Sequence, residues 1–229
     1  KHARFSELPA AAAGRRFNGI LADLGISSDQ LAEQRGFSFK DETALDMRMD
    51  ASQAKSAYEI VNKLGQRELF VILKQGGVGR EAGAVARAIA AKRPIESTAK
   101  LAEIIAEACR GRTSKHKIHP ATLTFQAIRM AVNDELAELE SLLKTVPTLA
   151  QPKARLAVIT FHSLEDKIVA RCMRGWQAGG SRPAMWRGDD QSEPKLGRCL
   201  TSKALAPAAE ERERNPRSRS ARLRAFEFN

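Results

Sequence analysis

Two hydrophobic periods organise this chain. Residues 17–23, Phe-Asn-Gly-Ile-Leu-Ala-Asp, form a short apolar run that ends on a carboxylate. That is the pattern of a buried central strand delivering an acidic side chain to the crevice beyond its carboxyl end. A helical period then takes over. Tyr58, Val61 and Leu64 recur three apart, Leu69, Val71, Ile72 and Leu73 extend the run, and Gly76-Gly77 breaks it. Residues 81–91 are rich in alanine, with Val85 and Ile89 four apart, and Ser97-Thr98 offers an N-cap for a helix whose Leu101, Ile104, Ile105 and Ala108 share one face.

The longest helix is predicted over 121–143, where Phe125, Ile128, Val132, Leu136, Leu139 and Leu143 make a single stripe. Pro147 and Pro152 bracket its exit. Residues 155–161, Arg-Leu-Ala-Val-Ile-Thr-Phe, read as a second buried strand, parallel to the first because a long helix separates them. His162-Ser163 ends that strand, and Ser163 with Asp166 has capping-box spacing for the next helix. Residues 177–195 are rich in Gly, Pro, Ser and charge and are predicted as a mobile loop. Near the end, Ala221, Leu223 and Ala225 alternate with Arg222 and Arg224, and the phase changes at Phe226 and Phe228. An edge strand paired near 200–206 is the expectation, with a bulge or a frayed end at the change of phase. The layout describes half of an α/β sheet interrupted by a helical block.

Composition narrows the class. The chain has 229 residues, 43% hydrophobic and 28% charged, as in globular rather than disordered proteins. No stretch approaches the roughly 18 apolar residues of a membrane-spanning helix. Cys109, Cys172 and Cys199 are odd in number and far apart, which excludes a disulfide framework and points to a reducing cytoplasm. The net charge of +11 favours a polyanionic partner. Between Lys74 and Lys117 alone there are ten Lys or Arg against four Asp or Glu, as in a lid or substrate-docking subdomain, or in helices with solvated basic faces. Aromatics at 5% argue against a surface built mainly of stacked rings.

Several groups are candidates for chemistry. Asp23 either holds an amino group for attack on an electrophile or caps the turn after its strand. Asp46-Met-Arg48-Met-Asp50 either clamps a ligand or locks its own turn by ion pairing. His116 and His119 lack the further ligands of a zinc site. Arg129 and Asn133 are polar positions in an apolar helix that reach a ligand or satisfy one another. His162 can project over a crevice at its strand end, while Ser163 lacks the flanking glycines of a hydrolase nucleophile elbow. Gly76-Gly-Val-Gly79 follows a helix and reads as a break rather than a phosphate loop. Four arginines in 215–224 suit a phosphate backbone or a protected sheet edge.

Taken together, six strings resemble one family: Asp23-Leu-Gly-Ile-Ser-Ser-Asp-Gln-Leu31, Arg35-Gly-Phe-Ser-Phe39, Leu45-Asp-Met-Arg-Met-Asp50, His119-Pro-Ala-Thr-Leu-Thr-Phe-Gln-Ala127, Phe161-His-Ser-Leu-Glu-Asp166 and Asn215-Pro-Arg-Ser-Arg-Ser220. In this order they are similar to the bacterial small-subunit ribosomal RNA methyltransferase H family, also called MraW. The resemblance implies a class I, Rossmann-like methyltransferase sheet carrying a helical substrate-recognition insertion. It assigns 1–30 and 119–229 to the sheet and 31–118 to the insertion. It also implies S-adenosylmethionine as methyl donor and the exocyclic N4 of a decoding-centre cytidine of 16S rRNA, within the small ribosomal subunit, as acceptor. Family cofactor contacts fall on Phe5, Asp23 and Gln30. Asp23 then orients the amine, with His162 as a weaker substrate contact or proton relay. The family's glycine-rich cofactor loop has no counterpart in this sequence, so the resemblance implies a chain lacking the first strands of the sheet. The alternative expectation is a non-catalytic RNA- or ribosome-binding fragment. Asp29, where the family has proline, and Glu42-Thr43-Ala44, in place of its Gly-Pro, depart from the pattern in loops.

Overall fold

In the computed structural model, residues 3–27, 35–39, 42–111, 120–179 and 194–229 are described. In chain order the elements are α1 (Leu8–Ala12), β1 (Phe17–Asp23), α2 (Ala57–Lys63), α3 (Gln66–Gln75), α4 (Ala82–Ala91), α5 (Thr98–Ala108), α6 (Pro120–Asn133), α7 (Glu135–Leu149), β2 (Ala150–Thr160), α8 (Ser163–Ala178), β3 (Gly197–Cys199), α9 (Ala209–Arg214) and β4 (Arg222–Phe228). Two compact units result. One gathers 1–25 and 136–229, and the other is the continuous segment 26–135.

The first unit is mixed α/β. Its four strands run in the order β1-β2-β4-β3. β1 and β2 are parallel, with Ile20 opposite Leu156 and Asp23 opposite Ile159. β4 is antiparallel to both β2 and β3. Phe17 pairs with Ala150 but Gly19 with Arg155, so β2 leaves register between 150 and 155, where Lys153 takes φ +64°. Regular pairing begins at Arg155, where the apolar alternation of the sequence begins. One face of the sheet carries Ala22, Leu24, Leu156, Val158, Phe226 and Phe228, packed with Leu139, Leu142, Leu143 and Val146 of α7 and Val169, Met173 and Trp176 of α8. Trp176, Phe226 and Phe228 form an edge-on cluster with ring centres 5.1–5.6 Å apart, a geometry aromatic quadrupoles favour.

The structure departs from three expectations. β1 is an edge strand among the described residues, not a central one, and Leu21, on the face opposite Ala22, is 69% exposed. β4 is interior rather than an edge, and it runs without a bulge from Arg222 to Phe228. Its change of phase arises because Arg224 shares the core-facing side with Phe226 and Phe228 and meets Asp166 there. The third concerns the helix predicted over 121–143, which is two helices. Asp134, at φ +52°, separates α6 from α7, and Pro147 lies inside α7 rather than beyond it. The apparent single stripe serves two cores: Phe125, Ile128 and Val132 belong to one, Leu139 and Leu143 to the other.

The second unit is helical. Ser56 and Ser97 cap α2 and α5 by accepting from the amides of Glu59 and Lys100. α3 ends where Gly77 turns to φ +89° and Val78 N donates to Leu73 O, a Schellman closure. Gly76 is needed for a further reason: a Cβ there would sit 2.2 Å from the Ala127 Cβ of α6. Because Ala121, Phe125, Ala127, Ile128 and Val132 bury themselves among Leu69, Leu73, Ile89 and Leu101, α6 packs with the helical unit, which therefore extends beyond the expected 31–118 segment. No helix among the described residues is long and apolar enough to cross a membrane.

Candidate functional site

The parallel pairing of β1 with β2 brings two chain reversals to the same end of the sheet. Leu24 N donates to Ile159 O at 3.0 Å, and Gly25, at φ +101°, lies so close to Phe161 that a Cβ would be 3.5 Å from its ring. Asp23, the last residue of β1, and His162, two residues past β2, both candidates from the sequence, thus stand at neighbouring strand ends. The carboxyl end of adjacent parallel strands is where α/β sheets bind ligands.

Their side chains have different surroundings. Asp23 falls on the face of Leu21, is exposed, and makes no hydrogen bond among the described residues. His162 is turned inward, with 11% of its side chain exposed. It is the N-cap of α8: Nδ1 accepts from Glu165 N at 3.3 Å, while Glu165 Oε2 accepts from His162 N at 3.2 Å and from Phe161 N at 2.9 Å. The capping pair is therefore His162 with Glu165, one residue earlier than the Ser163–Asp166 pair predicted. His162 Nε2 lies 3.1 Å from Glu165 Oε1 without hydrogen-bond alignment. No hydrogen bond joins Asp23 to His162 among the described residues.

Glu165 is only 3% exposed. Burial pushes its carboxyl up, but the His162 side chain and the amides of Phe161 and His162 outweigh that and hold it below the usual carboxylate range. Sequence reasoning missed this residue because a Glu near a helix start is usually a solvated one. Asp166, released from capping, accepts from Arg224 Nε at 2.6 Å and Nη2 at 2.9 Å, a two-pronged charged contact.

The remaining candidates divide clearly. Phe5 begins a 3-10 turn, Phe5–Glu7, and packs partly buried against the core of the first unit. The turn is tied to α7, where Glu138 accepts from Ser6 N at 2.9 Å and Ser6 Oγ at 3.0 Å. Gln30, His116, His119 and most of the 177–195 segment lie outside the described residues. In the Asp46–Asp50 loop, Arg48 binds Asp46 at 2.5 Å and the carbonyls of Ala51 and Gln53 at 2.8 Å each. Asn133 donates to Met47 O at 2.8 Å and accepts from Met49 N at 2.7 Å. These are the bonds of a locked turn, the second of the two readings of that motif. Arg129 is held by Glu135 at 2.7 and 2.8 Å. Burial pushes the Cys172 thiol up to about 12, which keeps it protonated and unreactive near neutrality.

Comparison with known proteins bears on what this geometry serves. Residues 1–229 match the model of the MraW methylase family. A protein of Koribacter versatilis named ribosomal RNA small subunit methyltransferase H is 44% identical over 226 residues, 98% of this chain and 67% of its own. Proteins of the same name from Syntrophus aciditrophicus and Synechococcus elongatus are 46% and 44% identical, over 92% and 93% of this chain and 68% and 66% of theirs. The chain thus spans about two thirds of the length of these relatives. With a match along its whole length and identity above 40% to several relatives, the chain belongs to the MraW methylase family.

Proposed function

We propose that this chain is the greater part of an S-adenosylmethionine-dependent enzyme that methylates the N4 amine of a cytidine in 16S rRNA within the small ribosomal subunit. The observation that carries the reading is Asp23: an exposed, unpartnered carboxylate at the carboxyl end of a parallel strand. Such an acceptor suits an amine whose lone pair is delocalised into its ring, because hydrogen bonds to the amino hydrogens favour the pyramidal, nucleophilic form. S-adenosylmethionine would supply an electrophilic methyl group on a sulfonium. Phe5 offers a half-buried apolar ring for its adenosine, and Asp23 and Gln30 complete the contacts carried over from the resemblance. The fit of the residues in place extends that far, with an apolar ring and a free carboxylate in the same unit.

In this reading β1 is not the last strand of the sheet. Its free edge and the exposed Leu21 face receive the first strands and helices of a class I methyltransferase sheet, which unpaired strand edges and bare apolar faces require. The helical segment 31–118, with the α6 packing that extends it, serves as the substrate-recognition part. His162 positions Phe161 and the start of α8 through Glu165 rather than carrying a proton.

The test is methyl transfer from labelled S-adenosylmethionine to small subunits lacking the modification. It uses a chain extended to the relatives' length. Label recovered on cytidine N4, with Asp23→Ala folding normally but losing at least a hundredfold in kcat, supports the reading (each factor of ten being about 1.4 kcal/mol of barrier). RNA binding without transfer would leave a non-catalytic RNA-binding role instead. Calorimetric titration of S-adenosylmethionine against Phe5→Ala gives a readout separate from turnover.

A further inference from the structure

On the helical unit, the solvent side of α3 carries Arg67, Phe70, Val71 and Lys74, spaced three, one and three residues apart, so all four share one stripe. All are exposed, Phe70 at 41% and Val71 at 43%. Arg67 and Lys74 lie two turns apart, about 10 Å along the helix. α4 borders the stripe: the Phe70 ring lies 3.9 Å from where a Cβ of Gly83 would be. Gly83 lies between Arg80, just before α4, and Arg87, one turn along it, both exposed. None of Arg67, Lys74, Arg80 and Arg87 makes a side-chain hydrogen bond or ion pair among the described residues. The nearest acid on α3, Glu68, is folded back to accept from Gly65 N at 2.7 Å. Elsewhere in the same unit most exposed cations are paired, Lys55 with Asp134, Lys63 with Glu59, Lys92 with Glu107 and Lys100 with Glu103, Arg110 being the exception among the described residues. Four unpaired cations spaced along α3 and α4, on the two helices that meet at the Phe70 ring, are therefore a local concentration that the rest of the unit does not show.

We infer that this α3–α4 face binds single-stranded RNA, the four cations holding phosphates and the Phe70 ring stacking on an unpaired base. The inference rests on the RNA-substrate reading above and assigns it a surface. Charge alone would suit any polyanion, including an acidic peptide. The half-exposed ring set among the cations is the further feature, because it matches an alternation of phosphate and base that a single strand presents and a duplex hides. Val71 and the flat Gly83 give the base an apolar bed without a side chain standing above it.

The experiment is a fluorescence-anisotropy titration of the whole chain with a short labelled unstructured RNA at several salt concentrations. Replacing Arg67, Lys74, Arg80 and Arg87 by Ser should remove about 3 from the log–log salt slope, since single strands contribute about 0.7 per neutralised phosphate. A control carrying Lys167→Ser, Arg171→Ser, Lys203→Ser and Arg212→Ser removes as many exposed cations from the other unit. An equal loss in that control overturns the inference, as does an unchanged slope in the first variant. Phe70→Leu keeps an apolar side chain against Gly83 and should weaken binding roughly fivefold or more, while Phe70→Tyr should not. Equal affinities of the Leu and Tyr variants, equal binding of duplex RNA, or full competition by a polyglutamate peptide each count against it. None of these readouts uses methyl transfer. A failed methylation assay with intact, variant-sensitive binding thus defeats the enzymatic reading and leaves this one standing.

Discussion

Glu165 and His162 cap one another at the start of α8: the imidazole Nδ1 accepts from the Glu165 amide, and the Glu165 carboxylate accepts from the amides of His162 and Phe161. The contact fixes the chain as it leaves β2, beside the end of β1. Glu165→Gln keeps the size and an oxygen that can still accept from both amides but loses the charge, and should cost about 1 kcal/mol, the difference between charge-assisted and neutral hydrogen bonds. It should also change the pH dependence. The folded carboxyl titrates below its ordinary value, so its contribution is complete above about pH 4.3 and is lost as pH falls through the folded pKa. Urea unfolding at pH 7 and at pH 3–4 reads both effects. The difference between native and variant should shrink at the acid end, and a constant difference would contradict the assignment.

Asp166 and Arg224 answer a different question, why β4 changes phase. Arg224 occupies a core-facing position with 15% of its side chain exposed, and the Asp166 carboxylate holds its guanidinium above the ordinary range. Asp166→Ala leaves that charge without its partner in a half-buried place and should cost about 2–3 kcal/mol. Replacing both by Leu should recover most of the loss, since paired apolar groups avoid the desolvation that a lone ion incurs. Thermal melts of the single and double variants separate the two outcomes.

Asn133 predicts on the helical unit. Only 7% exposed, it bonds Met47 O, Met49 N and Arg129 O. Asn133→Ala strands at least two of these groups in a buried loop, a loss of roughly 2–4 kcal/mol. Proteolysis within 46–53 should accelerate in step, whereas an unaltered cleavage rate would mean that the remaining bonds, those of Arg48 and Gln53 among them, hold the loop without Asn133.

These side chains show where the sequence was readable. The helices of the second unit follow from their apolar period and serine caps, because burial on one face is what that period records. The parallel pair of strands and the strand-end position of Asp23 follow in the same way. The split at Asp134 was hidden because the spacing from Val132 to Leu139 keeps the helical phase across it, although Asn133-Asp134 are residue types that tolerate left-handed backbone. The His162 cap was missed in favour of Ser163 because His is not a usual cap, while the Glu three residues later was the available signal. Partners distant in sequence, such as Asp166 with Arg224 or Ser6 with Glu138, leave no period to read. The phase break in 221–228 was visible, but its cause lay 58 residues away.

Leu21 offers a test of how far the sheet extends. The run from Phe17 to Asp23 is apolar on both faces, yet only the Ala22 and Leu24 side is covered among the described residues, and Leu21 is 69% exposed. In this chain Leu21→Ser should therefore change stability by no more than about 0.5 kcal/mol, as surface substitutions do, and should reduce self-association of the bare face. If further strands and helices cover that face in a chain of the relatives' length, the same substitution there removes a buried side chain and places a hydroxyl without a partner. The cost should rise to about 2–4 kcal/mol. Parallel denaturant titrations of the two lengths decide it. Equal small effects would mean that Leu21 faces solvent in both, and the free edge of β1 would then be an edge of the complete sheet as well.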